Sequence, residues 1–186
     1  AATKIASDNL AISIQKATNL PIVVARPFNT FGPRQSLRAV IPTLITQFIS
    51  LKNKNRSINI GNLKTSRDFV YVKDTVSGLL SLLKKSCKSG EIYNICTGKS
   101  FSIKSIINIL IILTNKNPKI IVSNKRLRPS DVLDLRGSNK KLYKSNKWSP
   151  KYKNLDGFKK GLRETYEWFE REENLKKYTN LKNYNI

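Results

Sequence analysis

At 186 residues the chain is long enough for one domain with a real hydrophobic core, or for a large piece of a bigger one. Its formal charge of +23, from 35 basic and 12 acidic side chains, admits a polyanionic partner. The lack of any histidine excludes imidazole acid-base catalysis, Ser-His-Asp triads and histidine metal sites, leaving proton transfer to Tyr, Lys, Asp and Glu.

In chain order, residues 4–18 read as a helix, because Ala6, Leu10, Ile14 and Ala17 recur at spacings that stack on one face. Asn19, Leu20 and Pro21 end it. Residues 22–25 form a short apolar run suited to a buried parallel strand, and residues 26–39, holding Gly32 between Phe31 and Pro33, read as a loop at its end. A helix over 42–52 starts with proline in its first turn. Strands are expected over 57–61 and 68–72, then a helix over 73–85 that buries Val76, Leu79, Leu80 and Leu83. A strand over 91–96, a helix over 102–114 and a strand over 119–122 follow, the last closed by a basic loop over 124–130. The final clear element, 155–173, is amphipathic through Phe158, Leu162, Tyr166 and Phe169; from Asn174 the chain reads as a polar, frayed tail. Strands alternating with helices indicate an α/β protein. No glycine-rich G-x-G-x-x-G turn is present, so the phosphate-cradling first unit of a dinucleotide fold is missing.

Cys87 and Cys96 lie in no metal-binding spacing and read as small apolar residues. No apolar run has the length of a membrane span and the start lacks a signal-peptide layout, so a cytoplasmic location is the default expectation. The chain contains no methionine, which leads to the expectation that Ala1 is not a natural translation start. The lysines are spread along every segment, which weakens a nucleic-acid reading without removing it as an alternative. The arginines differ: Arg26, Arg34, Arg38, Arg67, Arg126 and Arg128 fall in or beside loop motifs, where a planar fork can grip phosphate.

Four blocks carry a resemblance. They are Ala1-Ala2-Thr3-Lys4-Ile5-Ala6, Arg26-Pro27-Phe28-Asn29-Thr30-Phe31-Gly32-Pro33, Arg67-Asp68-Phe69-Val70-Tyr71-Val72-Lys73-Asp74 and Arg128-Pro129-Ser130-Asp131. In this order they resemble the carboxyl-terminal half of the extended short-chain dehydrogenases, in the NAD-dependent epimerase/dehydratase family, and most of all the NDP-sugar 4,6-dehydratases. The ending Lys147-Trp148-Ser149-Pro150 is also similar to the family's G-W-x-P closure, with Lys147 where glycine is usual.

The resemblance implies a catalytic Lys4 whose tyrosine partner precedes residue 1, and an NAD site that uses Lys4, Pro27 and Phe28. It implies a nucleotide-sugar site formed by Asn29, Arg38, Val40, Arg67, Arg128 and Asp131, with Arg67 and Arg128 on the pyrophosphate, and no metal. Asp68 and Asp74 are read as structural, Asp74 in the first turn of its helix beside the exposed amides. The implied fold is α/β: the C-terminal part of a Rossmann-like NAD-binding domain (residues 1–34, to which elements in about 57–96 return), plus a smaller mixed α/β substrate-binding domain (mainly 35–173). A polar tail over 174–186 follows. The implied reaction is C4 oxidation by NAD, water elimination and hydride return to C6, in a homodimer, with this chain an inactive piece of the enzyme. A 4-epimerase of the same family, a non-catalytic sugar-nucleotide binder and a basic nucleic-acid module remain the alternatives.

Overall fold

The computed structural model describes residues 2–51, 57–123 and 132–179. Helix α1 (Ala2–Thr18) stops where Asn19 turns to a positive φ of 55° and donates its amide to the Gln15 carbonyl, a conformation asparagine tolerates well. The apolar run after it becomes β1 (Val24–Pro27), two residues later than its β-branched start suggests, because Val24 is the first residue whose amide finds a partner strand. The segment read as loop holds a short strand, β2 (Asn29–Phe31), and leads to α2 (Val40–Ile49). Then come β3 (Ser57–Ile60), β4 (Ser66–Arg67), β5 (Phe69–Tyr71) and α3 (Val72–Ser81). Next are β6 (Ile92–Ile95), β7 (Phe101–Ser102) and α4 (Ile103–Thr114), whose Ser102 cap accepts the Ser105 amide. The chain continues with β8 (Lys119–Val122), β9 (Asp134–Leu135), α5 (Lys140–Asn146), α6 (Leu155–Glu170) and α7 (Glu172–Thr179). No described helix is long and apolar enough to cross a membrane.

Three strand pairs are parallel: β1 with β6, from Val24 opposite Ile92 to Pro27 opposite Ile95; β2 with β5; and β3 with β8. A fourth small sheet has the order β7-β4-β9, antiparallel between β4 and β7 and parallel between β4 and β9. The α/β expectation holds.

Two buried clusters lie on the described residues. The larger is built by Ile41, Leu44, Ile45 and Phe48 of α2, Ile103, Ile106, Ile107 and Leu110 of α4, and Phe158, Leu162, Tyr166 and Phe169 of α6, closed by Phe31, Ile58, Ile60, Phe69 and Tyr71. Each fully buried aliphatic or aromatic side chain here contributes about 1.5 to 3 kcal/mol relative to exposure. The smaller cluster joins Val70, Leu82, Cys87, Tyr93, Ile95, Leu142 and Trp148. Strand β5 serves both, since period-2 alternation sends Phe69 and Tyr71 to one and Val70 to the other.

Several sequence expectations need correction. Helix α3 ends at Ser81, short of the expected 85, and Val76, Leu79 and Leu80 on it, with Leu83 beyond it, are all exposed; the helix buries Asp74, Thr75, Gly78 and Ser81. Close approach decides this. A Cβ at Gly78 would lie 2.7 Å from Ile95 and 3.1 Å from Trp148, so the helix presents its small residues to the sheet. Likewise none of the predicted apolar face of α1 is buried, and Leu10 is 62% exposed. Asp74 does not serve the amides of its own helix: its carboxylate accepts the Lys151 and Tyr152 amides at 2.8 and 2.7 Å. The final helix breaks at Arg171, and α7 extends order into the segment read as frayed, with Asn174 buried and bonded to the Trp168 carbonyl. The short α5 and β9 had no strong periodic signal.

Candidate functional site

In parallel strands, side chains and loops at the carboxyl ends face outward from the sheet and are free to meet a ligand. At that end of β1 an open cleft of about 570 Å³ runs between the strand and α1. Thr3, Lys4, Ile5, Ser7 and Asp8 line it from the helix, and Ala25, Arg26 and Pro27 from the strand. The cleft thus brings Lys4 and Pro27 together, two of the residues expected at a cofactor. Arg26 is not available there: its Nε and Nη2 both meet Asp8 Oδ2 at 2.7 Å, tying α1 to β1.

Beyond Pro27 the chain is fixed by its backbone. The Phe28 amide donates to the Ile95 carbonyl at 3.0 Å, and Asn29 Nδ2 donates to the Asp68 carbonyl at 3.1 Å. Gly32, at φ 154°, lies so close to Val72 that a Cβ would meet its Cγ1 at 2.6 Å. Thr30 and Thr75 share a hydroxyl bond of 2.9 Å, and Gln35 Nε2 donates to the Thr30 carbonyl at 2.6 Å. Arg34 takes the left-handed φ of 67° as the loop turns toward α2.

Asp68 anchors the next part. Its buried carboxylate accepts the Thr97 amide and hydroxyl, the Gly98 amide and the Gly137 amide, at 2.9, 2.6, 2.9 and 3.2 Å. Charge-assisted bonds to backbone amides are strong, so one side chain pins two loops. The structural reading of Asp68 is thereby given its partners. Gly137 has no room for a Cβ, which would lie 2.7 Å from both Cys96 Sγ and Phe28 Cζ. The turn after β9 therefore rests directly on Phe28. Arg67, on β4, turns its Nη1 to the Val132 carbonyl at 2.5 Å and to its neighbour Ser66.

Lys4, Pro27, Phe28 and Asn29 thus follow one another along the carboxyl end of β1, with Arg67 beside the segment that Asn29 binds. Arg38 and Val40 are not on the α1 cleft; Arg38 is exposed before α2, and Val40 packs on the larger cluster. Arg128 and Asp131 lie outside the described residues. Sequence reasoning missed Thr3, Ser7 and Asp8. Their signal was helical spacing, since Ser7 and Asp8 stand three and four residues after Lys4 on the same face.

One thiol and two phenols, those of Cys96, Tyr71 and Tyr166, resist deprotonation. Burial, helped by the charge of Asp68, pushes the Cys96 thiol up to about 12, so it is no nucleophile. Burial and then Glu164, which accepts the Tyr71 hydroxyl at 2.6 Å, raise the Tyr71 phenol far above its ordinary range. Tyr166 is pushed up to about 12, first by burial and then by Glu170. These phenols stay protonated at neutral pH and serve as structure, not as bases. Lys4 is the described ammonium on the cleft itself.

Comparison with known proteins places this architecture. The family described as GDP-mannose 4,6 dehydratase matches residues 1–165. The chain is 34% identical to the dTDP-D-glucose 4,6-dehydratase of Bos taurus over 178 residues, covering 91% of this chain and 46% of that enzyme. RMD from Pseudomonas aeruginosa, solved with NADPH, superposes with a TM-score of 0.80 at 27% identity, over 91% of this chain and 55% of its own. The UDP-glucuronic acid 4-epimerase of Bacillus cereus, solved with UDP-glucuronic acid and NAD, gives a TM-score of 0.79 at 26% identity, over 91% and 52%. The chain spans about half the length of the curated relatives it matches.

Proposed function

The chain belongs to the GDP-mannose 4,6 dehydratase family, and on that premise we propose that it is the substrate-recognising part of an NAD-dependent NDP-sugar 4,6-dehydratase of the cytoplasm. The observation that carries this reading is the cleft where Lys4 faces Pro27 at the carboxyl end of a parallel strand. An ammonium, the hydroxyls of Thr3 and Ser7 and a proline wall fit the ribose and flat ring of a nicotinamide nucleotide. When bound, that cofactor supplies the hydride acceptor. Lys4 would hold the ribose hydroxyls and favour the phenolate of a neighbouring tyrosine. Asn29 and Arg67 would orient the sugar diphosphate, with Arg38, Val40, Arg128 and Asp131 around the nucleotide.

In this reading residues 1–34, with parts of about 57–96, belong to the cofactor-binding domain and 35–173 mainly to the substrate domain. The exposed apolar positions of α1 and α3 support the view that further polypeptide covers them, and those of α1 support a homodimer in the whole enzyme. The 4-epimerase reading has its own support in the TM-score of 0.79 with such an enzyme. The resemblance implies that the acid and base carboxylates that separate the two reactions come before Lys4.

Thermal melting of the chain with dTDP, GDP, UDP, NAD and a short DNA duplex tests the proposal. Ligand at about 100 times its Kd stabilises by about 2.7 kcal/mol, so at least one nucleoside diphosphate should raise the melting temperature, and Arg67→Ala should abolish the rise. A shift with duplex alone, steeply salt-dependent, would instead support the nucleic-acid module.

A further inference from the structure

A second cleft, of about 380 Å³, opens beside α5 and the start of β6. Its lining comes from two distant segments: Lys88, Glu91 and Tyr93 on one side, and Lys140, Lys141, Lys144 and Ser145 on the other. Four ammonium groups therefore surround one carboxylate. Glu91 is already committed to Lys141, which pairs with it and lies 5.0 Å over the Tyr93 ring. Lys88, Lys140 and Lys144 are exposed, and no salt bridge joins them to a carboxylate among the described residues, although the Lys88 charge also acts on Glu91. Lys140 and Lys144 stand four residues apart on one short helix, a spacing at which like charges repel.

The floor adds neutral donors. The Tyr93 hydroxyl accepts the Lys88 amide at 3.0 Å and the Ser145 hydroxyl at 3.4 Å, and so keeps its own hydrogen to donate. The position also separates this cleft from the one above. Because β1 and β6 are parallel, Pro27 and Ile95 mark the carboxyl end of the pair while Glu91 precedes its amino end. The α1 cleft reaches Pro27 at the carboxyl end, this one reaches Glu91 before the amino end, and the two share no lining residue.

From this arrangement we propose that the α5/β6 cleft is a binding site for a condensed phosphate, held by Lys88, Lys140 and Lys144. Flexible ammonium groups act as point charges, and several of them converging on one cleft suit a compact, charge-dense anion such as a condensed phosphate. At about 380 Å³ the open cleft has room for a diphosphate group, either free or carried by a nucleoside.

Isothermal titration of the full chain with inorganic pyrophosphate, at constant ionic strength, tests the proposal. A lysine-dependent site is expected, weakened at least tenfold in the exposed double variant Lys140→Gln/Lys144→Gln. Competition separates the two sources. Displacement of pyrophosphate by dTDP means that the site accepts the diphosphate of a nucleotide; no displacement means that it takes the free anion. Either result supports the site only with the lysine dependence. Pyrophosphate affinity unaltered by the double variant, or no stronger than for sulfate, overturns the proposal. A backbone NMR titration gives an independent reading: shifts confined to residues around Lys88, Glu91 and Lys144 support it, and shifts spread over the basic surface, or displacement by duplex DNA, overturn it.

Discussion

Lys147 occupies a left-handed conformation, φ 62°, as the carboxyl cap of α5, where a side chain is strained and glycine is not. Its ammonium lies 5.5 Å over the Tyr143 ring, an exposed contact of small worth. Lys147→Gly should therefore stabilise the chain by about 1 kcal/mol, raising its melting temperature by about 2 to 4 °C. A lower melting temperature would show that the ring contact outweighs the backbone strain. This residue was legible in the sequence, as a lysine where the resembling family uses glycine. The partners of Asp68 were not. They lie 29, 30 and 69 positions away, and no local pattern encodes a carboxylate that satisfies amides at such separations.

Among the elements, α3 shows where periodicity misleads. Its leucine stripe was plain in the sequence, and hydrophobic spacing by itself assigns that stripe to a core. The structure chooses the opposite face, where Gly78 admits Ile95 and Trp148. Gly78→Ala should accordingly destabilise by about 1 to 3 kcal/mol through overpacking, despite its better helix propensity. Leu83→Ala, at a side chain 82% exposed, should change stability by less than about 0.5 kcal/mol. Urea denaturation of both variants checks the pair, and a larger cost at Leu83 would contradict the packing described. By contrast α2, α4 and α6 followed their sequence patterns, because each buries one continuous apolar face in a single cluster.

For the whole molecule, the tie between its middle and its end is ionic as well as apolar. Glu164 of α6 accepts Tyr71 at 2.6 Å and Lys73 at 2.8 Å, across more than ninety residues of sequence. Burial would raise the Glu164 carboxyl, but Lys73 and Tyr71 together hold it below its ordinary value. A depressed folded-state value means that this contribution is present above the unfolded glutamate pKa, about 4.3, and is lost as pH falls through the folded value. Tyr71 works in the other direction: its raised value keeps its contribution intact below about pH 10 and removes it above. Urea midpoints between pH 3 and 7 should fall at the acid end for the native chain and less so for Glu164→Gln. Parallel acid limbs in the two proteins would remove Glu164 from this role.

The three residues of β5 carry a further consequence. A strand whose alternate side chains belong to different buried clusters offers no seam along which one cluster can open while the other stays shut. Local opening at either one must withdraw Phe69, Val70 or Tyr71 and so loosen the other. Amide exchange in both clusters should then be limited by the same rare event, making this short strand the slowest-exchanging stretch of the chain.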